Sequence, residues 1–204
     1  RILFIITRFD YFMQNPGEIV KVWEGGLVFF GGLIASTAYG VYRFWKDKLP
    51  VWKMIDILTP GLVIGHAFGR LGCLGAGCCY GRPTDMPWGI RLNSELVDQA
   101  MRNIPLHPTQ LYESASLFIL YVGLIYVFKT KKFDGQVGLT YFMTYPIIRS
   151  IVEIYRGDSI RGFLIDDILS TSQFISILVF LGALSVVIYR LKKTNEQPQR
   201  PARR

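Results

Sequence analysis

The chain has 204 residues, 50% of them hydrophobic and 14% aromatic, and its mean hydropathy is +0.29. Apolar residues in that proportion, gathered into blocks, exclude an ordinary soluble domain. The net charge of +8 invites a nucleic-acid reading, but the basic residues fall between the apolar blocks, so the charge encodes topology and no nucleic-acid partner is expected.

About 20 apolar residues cross a bilayer. In chain order, Ile2–Ile6 is too short to span. Because the chain begins at Arg1 rather than methionine, this run reads as the end of a truncated helix with spans expected upstream. Full spans are expected over Gly25–Tyr42, Met54–Cys73, Leu111–Phe128, Val137–Tyr155 and Ile168–Tyr189. The fold class is therefore all-α, a polytopic integral membrane helix bundle of about five full spans plus a truncated one. Residues 1–190 form one transmembrane domain, and residues 191–204 form a disordered basic tail.

Thirteen of the 23 Lys and Arg residues sit on alternate connections, in Arg43–Lys53, in Lys129–Lys132 and after Tyr189. The opposite connections carry Arg8 and Lys21, then Arg82, Arg91 and Arg102, then Arg156 and Arg161, and are sparser per residue. The positive-inside rule places the thirteen, and the C-terminus, in the cytoplasm. The longest connection, Leu74–Leu106, then lies outside; its Pro83, Pro87, Trp88 and Pro105 suit the interface. Phe133–Gln136 reads as an inner turn.

Four motifs carry chemistry. In Trp23–Ile34, paired glycines (Gly25 and Gly26, Gly31 and Gly32) allow close approach of a helix or a lipid, and helix packing alone is the alternative. In Gly69–Arg82, Arg70 lies at membrane depth, where an arginine costs a few kcal/mol and marks a functional site unless it snorkels to the interface. Glycines there argue against regular helix beyond Gly72 and for backbone lining a cavity. Cys73, Cys78 and Cys79 lack the paired spacing and histidines of a zinc site, so no metal is expected. A disulfide of Cys73 with Cys78 or Cys79, and small buried packing, are the two readings left.

The third motif is His107–Glu113, whose imidazole suits proton transfer. Gln110 and Glu113 or Ser114 recur at helical spacing and bring one polar face into the bilayer; capping and hydrogen bonding are the structural alternative. His66, alone on an apolar helix, reads as a satisfied interior residue. In the fourth, Arg149, Glu153 and Arg156 share one helical face, and an Arg–Glu pair there is either purely structural or part of a site.

These motifs in this order resemble the bacterial prolipoprotein diacylglyceryl transferase family, from Arg1 to the last span, without the family's N-terminal spans; the family has seven. The likeness rests on the Gly-Gly…Gly-Gly-Leu-Ile helix, the Gly-Arg-x-Gly signature with its downstream Gly-Arg, the His-Pro-x-Gln-Leu-Tyr-Glu block and the Arg-x-x-Val-Glu-x-x-Arg helix. It implies an inner-membrane enzyme of lipoprotein biosynthesis. Such an enzyme moves diacylglyceryl from phosphatidylglycerol to the lipobox cysteine of a prolipoprotein, with glycerol-1-phosphate leaving and no cofactor.

By the same resemblance Arg149, Glu153 and His107 would be catalytic. Arg70, Gly31, Gly32, Gly72, Gly81, Gln110, Tyr112 and Arg156 would bind substrate. The chain departs from the family at Phe30, where a histidine proposed to activate the thiol usually stands. It departs again at Cys73 and Cys78, in place of an asparagine and a glutamate. The rival expectation is a phospholipid-binding membrane protein of the same fold with altered or lost chemistry.

Overall fold

A computed structural model describes residues 1–26, 28–157, 163–165 and 169–196. The side chains of Glu24, Phe29, Phe30, Phe163–Ile165, Leu169, Thr171 and residues 193–196 are outside that description. Three expectations therefore lie outside the described residues: the placement of Arg161, the start of the last span at Ile168, and the tail beyond Glu196.

The chain divides into two compact units, Arg1–Met54 and Ile55–Arg204. In the first, two short helices, α1 (Ile2–Thr7) and α2 (Phe9–Gln14), precede α3 (Phe29–Lys46). Arg1 ties the unit together. Its guanidinium donates to the carbonyls of Glu18, Ile19, Gly25 and Gly26. Gly26 sits at φ +71, and a Cβ there would fall 2.5 Å from the Phe4 ring, so this position requires glycine. A Cβ on Gly31 would meet Leu3 at 3.2 Å, whereas Gly32 faces open space.

The second unit is built on α4 (Val51–Ala76, from Ile55 onward), α5 (Thr109–Thr130), α6 (Gln136–Tyr155) and α7 (Thr171–Glu196). By length and composition α4, α5 and Ser172–Lys192 of α7 are apolar enough to cross a membrane; α6 has spanning length but carries Arg149 and Glu153. α7 runs through Glu196, so the expected tail begins later than residue 191.

The core is threaded by Val63 and Ala67 of α4, Leu117, Leu120 and Leu124 of α5, and Val137 and Tyr141 of α6. The outward faces are just as apolar: Ile57, Leu62 and Phe68 on α4, Ile119 and Val122 on α5, and Ile175 and Leu178 on α7 are all exposed. Polar side chains instead point inward, as on α5, where Thr109, Gln110, Glu113 and Ser114 are buried. That inversion suits helices whose solvent is hydrocarbon.

Helix α4 continues past Gly72 to Ala76, four residues beyond the expectation. In hydrocarbon every backbone group must be satisfied within the helix, and that requirement overrides glycine's weak helix propensity. It ends in a Schellman turn: Gly77 sits at φ +76, its N–H donates to the Leu74 carbonyl, and the Cys78 N–H donates to the Cys73 carbonyl, both at 3.1 Å.

The α4–α5 connection folds onto two small strand pairings. Strand β1 (Ile90–Arg91) pairs antiparallel with β2 (Pro105–Leu106), and Gly81 bridges Arg156 beyond the end of α6. A hairpin of β3 (Phe163–Ile165) and β4 (Leu169–Ser170) precedes α7.

At the opposite end of the unit, the expected Phe133–Gln136 turn is present and held by a residue from α4. The carboxylate of Asp56, fully buried, accepts from the backbone N–H groups of Gly135, Val137 and Gly138 and from Lys131 Nζ at 2.7–3.2 Å. Asp56 thus caps the N-terminus of α6 from another helix, where a negative charge is favoured.

Candidate active site

Successive helices that alternate in direction bring the C-terminal parts of α4 and α6 to the same end as the N-terminal part of α5. Arg70 on α4, Glu113 on α5 and Arg149 on α6 meet there. Glu113, 2% exposed, is the hub. Its Oε1 accepts from Tyr145 Oη at 2.9 Å and lies 3.1 Å from Arg70 Nη2, and its Oε2 lies 3.7 Å from Arg149 Nη1. Arg149 Nη2 pairs with Glu153 Oε2 at 2.7 Å, one helical turn along, and donates to Ser172 Oγ on α7. His66 packs edge-on against Tyr145, with Nε2 3.9 Å from Glu113, and contacts Tyr141 Oη through Nδ1 at 3.5 Å.

The cluster therefore holds two guanidiniums and two carboxylates, close to neutral overall. Its hydrogen bonding is incomplete, and the nearby Gln110 Oε1 is likewise buried without a hydrogen-bond partner among the described residues. Arg70 Nε and Arg149 Nη1 are buried and find no hydrogen-bond acceptor among the described residues. A buried unpaired donor costs roughly 1–3 kcal/mol, more when charged, so these two N–H groups present a ready site for an anion. An apolar groove of about 400 Å³ lies between α6 and α7, with Pro146, Ser150, Ile154, Gln173 and Phe180 on its walls.

Of the residues singled out from sequence, Arg70, Arg149 and Glu153 come together. Gln110 buttresses the same end: its Nε2 donates to the Cys78 carbonyl, beside Thr109 Oγ1 donating to the Cys79 carbonyl, both at 2.7 Å. His107 does not join them. It sits in an aromatic pocket of about 420 Å³ with Trp88, Tyr112 and Tyr155. There its Nδ1 lies 3.0 Å from Tyr112 Oη, which also accepts from Trp88 Nε1 at 2.7 Å. Among the described residues no hydrogen bond, ion pair or ring contact links His107 to the arginine cluster.

Gly81 has a structural reason to be glycine. A Cβ there would fall 2.5–2.7 Å from the Cβ and carbonyl of His107 and the carbonyl of Tyr155. Arg156, buried at the end of α6, bridges Gly81 and accepts from Arg82 Nε at its carbonyl. Gly72 faces open space, and Gly31 and Gly32 belong to the first unit.

Sequence reasoning did not single out Glu113, Tyr145, His66 or Ser172 as site residues. The available signal was the Gln110–Glu113 spacing, which marks a polar face entering the bilayer.

The three cysteines behave differently from their spacing. The Schellman turn folds Cys78 back over Cys73, so the Cys73, Cys78 and Cys79 sulfurs lie within 4.8 Å of one another, all half-buried. Burial, with the neighbouring Cys79 and Cys73, pushes the Cys78 thiol up to about 12.

Comparison with known proteins finds a family and relatives over most of the chain. The family model described as prolipoprotein diacylglyceryl transferase matches residues 1–189. A phosphatidylglycerol–prolipoprotein diacylglyceryl transferase of Finegoldia magna is 37% identical over 191 residues, covering 92% of this chain and 71% of the relative. The protein of that name from Clostridium tetani is 38% identical over 195 residues, covering 95% and 76%. No solved structure matches the chain.

Proposed function

Since the chain belongs to the prolipoprotein diacylglyceryl transferase family, we propose that it transfers diacylglyceryl from phosphatidylglycerol to the thiol of a prolipoprotein lipobox cysteine. Its relatives are named for that donor and acceptor. The observation that carries the reading is the pair of buried donors without a hydrogen bond, Arg70 Nε and Arg149 Nη1, on the two guanidiniums that share the Glu113 carboxylate.

The headgroup phosphate docks on these two N–H groups, and the groove between α6 and α7 takes an acyl chain. As the thiolate attacks the glycerol carbon, the C–O bond breaks and charge gathers on the departing glycerol-1-phosphate. Guanidiniums already fixed by Glu113 and Glu153 stabilise that charge without reorganising. Tyr145 holds Glu113 in place, and Ser172 holds Arg149. Gln110 supports the adjoining loop, while Tyr112, with His107, shapes the aromatic pocket. Gly72, with open space around it, leaves room for lipid beside Arg70.

The chain is a multi-pass bacterial membrane protein. The basic connections support a place in the cytoplasmic (inner) membrane with the C-terminus inside and the arginine cluster toward the outer face, where exported prolipoproteins emerge. In this reading the unit Ile55–Arg204 carries the donor site.

The test is thioether formation on a lipobox peptide, followed by mass, together with phosphatidylglycerol binding. Arg70→Ala and Arg149→Ala are each expected to lower turnover by about 10²-fold or more, as loss of one preorganised donor does elsewhere. The lysine variants should recover only part, since an ammonium lacks the planar fork that meets two phosphate oxygens. Wild-type binding by Arg70→Ala protein would refute the site. Lipid binding by the unaltered chain without any transfer would support the non-catalytic alternative.

A further inference from the structure

Thiol alkylation needs a thiolate, yet the carboxylates beside Arg70 and Arg149 are poorly placed to make one. Glu113 is held by Tyr145 and two arginines, and Glu153 pairs with Arg149. His66 is engaged with Tyr145, Tyr141 and Glu113; the thiols near this cluster, those of the three cysteines, remain without a role. Cys73 lies one turn beyond Arg70 on the same face of α4, and the Arg70 guanidinium interacts electrostatically with Cys79 as well.

We propose that Cys73, Cys78 and Cys79 bind one zinc ion whose fourth position takes the acceptor thiol. This inference rests on the transferase reading above and supplies its nucleophile.

Three observations carry it. First, the sulfurs lie within 4.8 Å of one another. Tetrahedral Zn–S bonds of about 2.3 Å set sulfurs roughly 3.8 Å apart, so a contraction of about 1 Å by side-chain rotation closes the set. Second, the loop that presents them is held rather than loose. Cys79 occupies φ +58, which a non-glycine residue adopts at a cost, and it is kept there while Thr109 and Gln110 bind the carbonyls of Cys79 and Cys78. Such outer contacts fix ligands before the metal arrives. Third, the metal-grouping side chains near one another are these three alone among the described residues, which is the ligand count of zinc sites that keep one position open for substrate.

The chemistry balances. Zinc bound by three thiolates carries one net negative charge. An acceptor cysteine entering the fourth position is deprotonated by the metal, releasing one proton to water. Its sulfur then forms the S–C bond to the glycerol carbon as the C–O bond breaks and glycerol-1-phosphate departs with the electron pair. Nothing is oxidised or reduced. The thioether, a poorer ligand than a thiolate, leaves the zinc free for the next acceptor.

The experiment uses the full chain in detergent, stripped of metal and titrated with Co²⁺ as a spectroscopic probe. One equivalent should raise thiolate-to-metal charge-transfer absorption with a tetrahedral visible spectrum, and Zn²⁺ should displace it. Cys73→Ser, Cys78→Ser and Cys79→Ser should each weaken binding by 10²-fold or more. A lipobox peptide should intensify the charge-transfer band of the cobalt-loaded chain, and its Cys→Ser analogue should not.

Absence of the band, its persistence in all three serine variants, or a disulfide between two of these cysteines in protein taken from membranes without reductant would overturn the site. A cobalt-loaded chain blind to the peptide would overturn the open position. Thioether formation undiminished by chelation would overturn the inference and leave the transferase reading standing. No thioether formation from the zinc-loaded chain would count against that reading, while the cobalt spectra still decide the metal site.

Discussion

Asp56→Ala tests whether the end of the bundle opposite the arginines is held by one carboxylate. The substitution strips acceptors from four donors at once: the N–H groups of Gly135, Val137 and Gly138 and the ammonium of Lys131. Lys131 is partly exposed and also pairs with Asp134, so it re-solvates at little cost. The three backbone donors are less fortunate, because the position is fully buried. Losing a helix cap costs about 0.5–2 kcal/mol, and each buried donor left unsatisfied about 1–3 kcal/mol. Allowing water to reach one or two of them, the expected loss is about 3–5 kcal/mol, a large share of the 5–15 kcal/mol that stabilises a typical domain. Asp56→Asn retains one acceptor oxygen but turns an amide donor toward other donors, so it should recover less than half. The assay is unfolding in mixed micelles titrated with SDS. A loss under about 1 kcal/mol for Asp56→Ala would show that the turn holds itself, and the cross-helix cap would be discarded.

Four further outcomes are expected. Glu113→Gln removes the hub's charge but keeps its shape; stability should fall by about 2 kcal/mol while phosphatidylglycerol binds more tightly, and unchanged lipid affinity would separate the hub from the headgroup. Gly81→Ala should prevent stable folding, because its Cβ would meet two carbonyls, whereas Gly72→Ala should fold normally and lose activity if lipid lies against it; equal effects on folding would break that distinction. His107→Gln should leave phosphatidylglycerol affinity within about threefold of wild type, since its contacts are to Tyr112 and Tyr155, and a loss as large as that of Arg70→Ala would place it in the headgroup site. Lys131 titrates above its usual value because Asp134, then Asp56, hold its proton. Its contribution is therefore fully present below about pH 10.5 and is lost as pH rises through the raised value, so melting temperatures should show an alkaline fall that Lys131→Met abolishes.

Much of this was readable before any coordinates. Apolar blocks locate α4 to α6 within a few residues, and their alternation alone puts Arg70 and Arg149 at one end. The Arg149–Glu153 pair is local, four residues along one helix, and so is visible in the sequence. Glu113 is not local: its partners lie 43 residues before it and 32 and 36 after it, and no period announces them. Asp56 was hidden for the same reason, its donors being 75–82 residues away. The cysteine cluster was concealed by a different mechanism. Its spacing fits no familiar metal pattern, and only the Schellman turn at Gly77, which α4 reaches by running past Gly72, folds the sulfurs together.

Pro146 gives α6 two mechanical parts. It is buried within the helix, offers no N–H to the Phe142 carbonyl, and lies between the turn capped by Asp56 and the turn bearing Arg149. Stiffness therefore drops by one rung midway along the helix. Below that rung the helix is riveted to α4; above it, the segment carrying Arg149 is tied to Glu113 of α5 and Ser172 of α7. Flexing at Pro146 therefore moves Arg149 relative to the lower frame, which the rivet at Asp56 keeps in register.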